Sequence, residues 1–172
     1  GVVGEGVISE ESYRLIRKTY PTQNKTYHAT NAGHWIFHDY GWHIFFNYAA
    51  SAFVNAHRDF DALSIMIATP REGLWLSDPG PFARHGDKKW VAERAEHFRT
   101  TRHHNTVTID DLDQSASSGK LIEASSKSIK ASFQTHTRFI QVSKHAVSIK
   151  DTLLPIDSKP HSYTQTWHLD PD

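Results

Sequence analysis

Side chains able to bind a divalent metal or to move protons lie in three short segments of the sequence. They are His57, Asp59 and Asp61 in the first segment, Asp78 before a Pro-Gly turn, and His104 in a His-His-Asn-Thr-Val segment. Because side chains two positions apart in a strand share a face, the first three are expected to point the same way at the mouth of a core strand. The sequence therefore predicts a polar site at the ends of neighbouring strands.

Three of these side chains could form a metal site without sulfur. Zinc sites use three or four nitrogen, oxygen or sulfur ligands, and imidazole with carboxylate suits zinc or manganese. Asp59, Asp78 and His104 can supply that set and leave His57 for proton transfer. The alternative is structural, with Asp78 capping the turn before Pro79 and His104 a solvated edge residue. Spacing alone leaves both interpretations open.

Size and composition predict one globular domain. A chain of 172 residues with 38% hydrophobic content is long enough for one core and short for two. The 19 acidic and 19 basic side chains balance, so no long-range attraction to nucleic acid or an anionic membrane is expected. The absence of cysteine excludes disulfides and thiolate metal sites. Because the chain begins with Gly1, we expect it to be a piece of a longer protein.

Alternating apolar and polar residues predict β-strands over most of the chain. The runs at residues 35–37 and 42–48 alternate in this way and turn at Asp39-Tyr40-Gly41. Gly, Pro, Ser and Asp separate further short strands, at residues 62–68, 74–76, 106–109, 128–133, 138–143, 146–149 and 163–169. Many short strands with little helix favour an all-β fold, an antiparallel β-sandwich.

Two segments depart from this pattern. Ser9-Glu10-Glu11 is typical of a helix start, so a short helix is predicted from Glu10 to Lys18. The insertion from Pro81 to Arg102 is long, charged and predicted to be partly helical between Trp90 and Phe98. It carries six Lys or Arg residues against three Asp or Glu residues, and long loops in compact domains are often functional. An anionic ligand is therefore expected to dock there.

Several motifs occur in a characteristic order along the chain. They are Gly33-His34-Trp35-Ile36-Phe37, His57-x-Asp59-x-Asp61, Asp78-Pro79-Gly80, Phe98-Arg99-Thr100-Thr101, His104-Asn105-Thr106-Val107 and the closing Trp167-His168-Leu169. In this order they resemble the C-terminal β-domain of the heparinase II/III-like polysaccharide lyases. The resemblance covers most of the chain from about residue 33.

The resemblance implies a two-part enzyme, in which an N-terminal helical toroid faces a β-sandwich across a polysaccharide cleft. Residues 31–172 would be the sandwich domain and residues 1–30 a linker with the short helix, the toroid lying outside this chain. The family cleaves uronic-acid polymers by β-elimination, in which a base removes the proton at C5 and an acid protonates the leaving oxygen. Its members suggest a periplasmic or secreted bacterial location.

The resemblance also assigns roles to individual residues. His57 falls on the family's acid/base histidine, and Asp78 and His104 fall on two of its metal ligands. Arg99 and Arg102 are expected to hold the substrate carboxylate, offsetting the charge that develops in the enolate-like intermediate.

One position departs from the family pattern. The family's first motif has a second imidazole two residues after the acid/base histidine, and this chain has Asp59 there. A carboxylate binds zinc at about the same distance as imidazole but suits harder ions as well. We therefore expect a divalent metal, zinc in the first place, with manganese or calcium as alternatives.

Two functions follow from the sequence. The first is the C-terminal domain of a lyase acting on an acidic polysaccharide such as a glycosaminoglycan or alginate, inactive without its toroid partner. The alternative is a non-catalytic carbohydrate-binding or scaffold domain with a degenerate metal site. A metal-dependent cupin is disfavoured, because its spaced histidine triad with a following glutamate and glycine is missing. Neither nucleic acid nor membrane is an expected partner.

Overall fold

The computed structural model describes residues 25–49, 59–69, 73–80, 89–115 and 117–170. The helix predicted from Glu10 to Lys18 and the predicted catalytic residue His57 lie outside these residues.

Five antiparallel strands form the first sheet, and each pairs with its neighbour in sequence. They are β1 (Tyr27–Ala29), β2 (His34–Asp39), β3 (Trp42–Asn47), β4 (Ser64–Thr69) and β5 (Gly73–Leu76). Tyr40 and Gly41 connect β2 to β3 with φ values of 56° and 82°. A two-residue hairpin turn of this hand needs positive φ at both positions, and glycine adopts it without strain.

A second sheet contains four antiparallel strands in the order β10-β9-β8-β7. They are β7 (Lys120–Ala124), β8 (Ser128–Phe133), β9 (His136–Val142) and β10 (Val147–Leu153). A smaller pair joins β6 (Val107–Ile109) to β11 (Tyr163–Gln165). The bridge between Leu76 and Leu169 then brings the segment after β11 to the edge of the first sheet.

The hydrophobic core combines inward-facing side chains of both large sheets. Trp35, Phe37, Ile44 and Phe46 come from the first sheet, and Ile129, Ala131, Ile140 and Val142 come from the second. Side chains at every second position are buried in β2, β8 and β9, as a sheet with one face in the core requires. The predicted antiparallel β-sandwich is confirmed.

One α-helix, α1 (Lys89–Arg99), occurs in the described part of the chain. It lies within the insertion that the sequence predicted to be partly helical. A 3₁₀ turn (Thr101–His103) follows and leads into His104. No helix among the described residues is long and apolar enough to cross a membrane.

Candidate functional site

Asp78 and His104, two of the predicted metal ligands, are in direct contact. His104 Nδ1 lies 3.1 and 3.0 Å from the two carboxylate oxygens of Asp78. The same carboxylate accepts hydrogen bonds from Ser64 Oγ at 3.0 Å and from the Gly80 amide at 2.9 Å. Asp78 therefore caps its turn and also binds His104. The alternative of a solvated His104 is wrong, since its side chain is fully buried.

The contact favours the charged forms of both partners. Burial alone would raise the pKa of Asp78, but the hydrogen bond and charge of His104 outweigh it and hold that pKa below its ordinary value. Burial alone would lower the pKa of His104, but Asp78, Asp61 and Asp59 together raise it. Because an ionised carboxylate only accepts, the Nδ1 atom of His104 carries the proton.

The other ring nitrogen of His104, Nε2, takes no part in the contact with Asp78. His104 Nε2 is buried and has no hydrogen-bond partner in the described part of the chain. Buried polar atoms are nearly always satisfied, so a buried imidazole nitrogen beside carboxylates, with no partner among the described residues, fits one position of a metal's ligand set if the metal displaces the proton there. Its Nδ1 contact with Asp78 holds the ring in place.

Two further carboxylates lie near this pair. The charges of Asp59 and Asp61 both raise the pKa of His104. Asn47 Nδ2 donates to Asp61 at 2.7 Å. Burial raises the pKa of Asp61 above its ordinary value, against the charge of His104 and the hydrogen bond from Asn47. No set of three His, Cys, Asp or Glu side chains within the described ranges is arranged to hold a metal ion. The ligand set of Asp59, Asp78 and His104 therefore stays a prediction.

Asn105 fixes the backbone beside His104. Its side-chain Nδ2 donates to the carbonyls of Ile65 at 2.9 Å and Ser77 at 2.7 Å. Its side-chain oxygen accepts from the backbone amide of His168 at 2.7 Å. Fully buried, it joins β4, β5 and the segment after β11. In the sequence Asn105 stands out only as part of the His-Asn-Thr-Val motif, and no local pattern indicated its organising role.

Arg138 connects the second sheet to the candidate site. Its Nε and Nη2 donate to the two oxygens of Asp151 at 2.7 and 3.0 Å. Its Nη1 donates to the carbonyls of Leu63 and Asn105, both at 2.6 Å. One buried guanidinium thus holds the residue before β4 and the residue after His104. Sequence reasoning missed this role, although Arg138 alternates with Ile140 and so belongs to the inward face of β9.

The two predicted substrate-binding arginines lie at the end of the insertion. Arg99 is the last residue of α1, and its guanidinium stands 5.0 Å from the centre of the Phe60 ring. The Phe60 amide donates to the Arg99 carbonyl at 3.0 Å. Arg102 lies two residues before His104, and its carbonyl lies 3.1 Å from His168 Nε2. Both arginines are therefore near the predicted ligand segments, and their contact with substrate stays a prediction.

Stability at acid pH should report on Asp151. Burial opposes its ionisation, but hydrogen bonds from His136 and Arg138 outweigh this and lower the pKa of Asp151 to about 2, from an ordinary value of 3.8. Below about pH 4 the unfolded state therefore binds more protons than the folded state. Asp151 thus makes its full contribution to the free energy of unfolding above that pH, and this contribution falls toward pH 2. We expect the loss to be about 2 kcal/mol.

Urea denaturation at a series of pH values would measure this loss. An Asp151→Asn variant serves as the control, because it lacks the titrating carboxylate and should show a flatter pH dependence between pH 4 and 2. Equal slopes for the two proteins would contradict the assignment.

Comparison with known proteins identifies the class of this domain. The chain matches the family described as "Heparinase II/III-like, C-terminal" over residues 22–172. Because this match covers most of its length, the chain belongs to that family. The boundary expected between a linker (residues 1–30) and the sandwich domain (residues 31–172) stays a prediction. A search of curated protein sequences finds no match.

Solved structures share the fold at low sequence identity. The heparinase III gene product BT4657 with methylated lysines has a TM-score of 0.63 at 16% identity, covering 82% of this chain and 26% of that chain. The heparan sulfate lyase HepC from Pedobacter heparinus has a TM-score of 0.56 at 15% identity, with coverages of 76% and 24%. A structure of heparinase III has a TM-score of 0.60 at 15% identity, with coverages of 76% and 22%. The chain thus spans about a quarter of the length of these proteins.

Proposed function

We propose that this chain is the C-terminal domain of a lyase that cleaves uronic-acid-containing acidic polysaccharide by β-elimination. The observation that carries the proposal is the buried Asp78–His104 pair near Asp59 and Asp61, in which His104 Nε2 has no hydrogen-bond partner among the described residues. Membership of the heparinase II/III-like family supports the same chemistry. Two similar structures are titled heparinase III and heparan sulfate lyase, and we extend that substrate class to this chain.

Each proposed role follows from the chemistry of the side chain. His57 accepts the C5 proton or neutralises the negative charge that develops, since imidazole exchanges protons near neutral pH. Arg99 and Arg102 bind the substrate carboxylate and so favour charge delocalisation into it. Asp78 holds the His104 ring by accepting a hydrogen bond from Nδ1–H.

A divalent metal fits the proposal in part. Asp59, Asp78 and His104 are the residues proposed to hold it, and it would supply positive charge near the developing enolate. For a metal at His104 Nε2, the Asp78 carboxylate would have to leave its present contact with Nδ1 on the other side of the ring. The observation in favour of a metal here is that the buried Nε2 of His104 has no hydrogen-bond partner in the part of the chain that the structure describes. Zinc is proposed first, with manganese or calcium as alternatives, because Asp59 replaces an imidazole.

The proposed partners are an acidic polysaccharide and an N-terminal helical toroid. Related chains are about three times as long as this one, so the catalytic cleft is proposed to need both parts. The isolated domain should therefore show no elimination activity. We propose a periplasmic or secreted location from the family alone.

One observation favours a non-catalytic carbohydrate-binding domain as the second candidate. Asp59 replaces the expected imidazole, and no three-ligand metal set occurs among the residues that the structure describes. Such a domain would bind polysaccharide without cleaving it.

An activity assay separates the two candidates. The longer protein that carries this domain would be incubated with heparan sulfate, hyaluronan or alginate, and the ultraviolet absorbance of the unsaturated uronate product followed. Appearance of that absorbance supports the lyase. Polysaccharide binding without product on all three polymers supports the binding domain.

Metal binding gives a further prediction. Replacing His104 by alanine should weaken zinc binding by about a hundredfold or more, because it removes the nitrogen proposed as a ligand. Protein purified without chelator would be examined by elemental analysis and by competition titration. His145→Ala is the control, since His145 is exposed in the turn between β9 and β10. Equal zinc affinity in the two variants, or no metal in the parent chain, would contradict the site.

A further inference from the structure

The side chain of Gln114 pairs with the backbone of Ala62 through two hydrogen bonds. Gln114 Oε1 accepts from the Ala62 amide at 2.8 Å, and Gln114 Nε2 donates to the Ala62 carbonyl at 2.9 Å. A side-chain amide has one accepting and one donating end, and only this orientation satisfies both backbone atoms. Ala62 is buried and directly follows Asp61. Gln114 therefore holds the end of the segment that carries Asp59 and Asp61.

The backbone around Gln114 holds the other side of the candidate site. The Gln114 amide donates to Thr101 Oγ1 at 2.9 Å, and the carboxylate of the preceding residue, Asp113, accepts from the Thr101 amide at 2.8 Å. Thr101 is buried and begins the 3₁₀ turn that follows Arg99 and leads into His104. Two consecutive residues thus bind both the hydroxyl and the amide of Thr101.

Two further hydrogen bonds join the same parts of the chain without Gln114. The Phe60 amide donates to the Arg99 carbonyl at 3.0 Å, and Thr106 Oγ1 donates to the Ala62 carbonyl at 2.8 Å. Neither bond supplies an acceptor for the buried amide of Ala62. An apolar side chain at position 114 would therefore leave that amide unsatisfied, while the other bonds would keep the two segments in contact.

We propose that Gln114 is a positioning residue of the candidate site. It acts through other residues, by fixing the segment of Asp59 and Asp61 against the segment of Arg102 and His104. Such alignment matters because a misplacement of about 1 Å at a catalytic group can cost about a hundredfold in rate. The proposal rests on the proposed lyase function, since it gives Gln114 a part in that reaction.

Amide hydrogen exchange of this chain tests the hydrogen bonds without any activity. Gln114→Met should speed exchange of the Ala62 amide by about tenfold or more, because the new side chain offers no acceptor. The amide of Ile140, in the core of the second sheet, should keep the protection of the parent chain. Gln141→Met is the matched control, since Gln141 is exposed on β9. Unchanged exchange at Ala62, or equal acceleration at both amides, would overturn the proposal.

Steady-state kinetics of the longer protein test the effect on the reaction. Gln114→Met should lower kcat by about tenfold or more and leave KM within about twofold, because displaced catalytic groups weaken binding of the transition state more than binding of the substrate. Gln141→Met should leave both constants unchanged. A parental kcat in Gln114→Met, or a rise in KM with kcat unchanged, would refute the positioning role.

A second variant keeps the proposal testable if Gln114→Met fails to fold. Gln114→Glu has a similar shape, and its protonated carboxyl has a donor and an acceptor as the amide does, whereas its ionised form only accepts. Its urea midpoint should therefore lie further below that of the parent at about pH 7 than at about pH 4.5, where the carboxyl gains its proton. An equal difference at both pH values would contradict the pairing with Ala62.

Failure of this proposal can be told from failure of the proposed function. A parent protein without elimination activity would refute the lyase, and the exchange rate of the Ala62 amide in this chain would still decide whether Gln114 holds that segment. An active parent with an equally active Gln114→Met variant would refute the positioning role alone.

Discussion

Replacing Arg138 by methionine is expected to lower the free energy of unfolding by about 3–5 kcal/mol. The guanidinium is fully buried and donates to Asp151, to the Leu63 carbonyl and to the Asn105 carbonyl. Methionine would fill similar space but leave a buried carboxylate without its ion pair and two carbonyl oxygens without donors. The loss should therefore far exceed that of an ordinary surface substitution.

Urea denaturation measures this effect, with Lys150→Met as the matched control. Lys150 is exposed on the neighbouring strand β10, so the same new side chain should change stability there by less than about 0.5 kcal/mol. A double variant, Arg138→Met with Asp151→Leu, should recover part of the loss because it removes the stranded charge. If Arg138→Met were no more destabilising than the control, the network would not hold the two sheets together.

Strands with one face in the core could be predicted from the sequence. Trp35 and Phe37 in β2, and Ile129 and Ala131 in β8, are buried at alternate positions, so the pattern of the sequence repeats the pattern of burial. The strands that were missed, β1 and β7, lie at sheet edges. Their side chains are mostly exposed or half-buried, so burial imposes no alternation on their sequences.

The last predicted strand shows a second limit of prediction from sequence. The sequence predicted one strand from residue 163 to 169, whereas β11 ends at Gln165 and the bridge of Leu169 to Leu76 belongs to another sheet. His168 leaves the first pairing because its amide donates to Asn105. Such a switch depends on a partner 63 residues away, which no local pattern contains.

The candidate site also combines a contact that the sequence could predict with one that it could not. The contact between Asp78 and His104 could be expected, because each follows or precedes a strand at a position where sheet ends meet. The part played by Arg138 could not, because its hydrogen bond to Leu63 joins residues 75 apart in sequence. Leu63 has a φ of 63°, unusual for a residue with a branched side chain, and the Arg138 contact helps to hold its carbonyl in that conformation.

Replacing His57 by alanine in the longer enzyme is expected to lower turnover by about a hundredfold or more. The proposed reaction needs a group that accepts the C5 proton or neutralises the charge that follows, and imidazole does so near neutral pH. Asp59 and Asp61 follow His57 closely in sequence, and both raise the pKa of His104. The proposed ligand set does not include His57, so metal content and folding should be unchanged.

Comparison with His104→Ala makes the assignment specific. Both variants should lose elimination activity, but only His104→Ala should also lose metal, because His104 is a proposed ligand and His57 a proposed proton acceptor. The rate of unsaturated product formation, elemental analysis and the unfolding curve would be measured on each variant, with His145→Ala as the common control. Wild-type activity of His57→Ala on every uronate polymer that the enzyme cleaves would refute its catalytic role. Loss of metal in that variant would instead place His57 among the ligands, and another group would then have to remove the C5 proton.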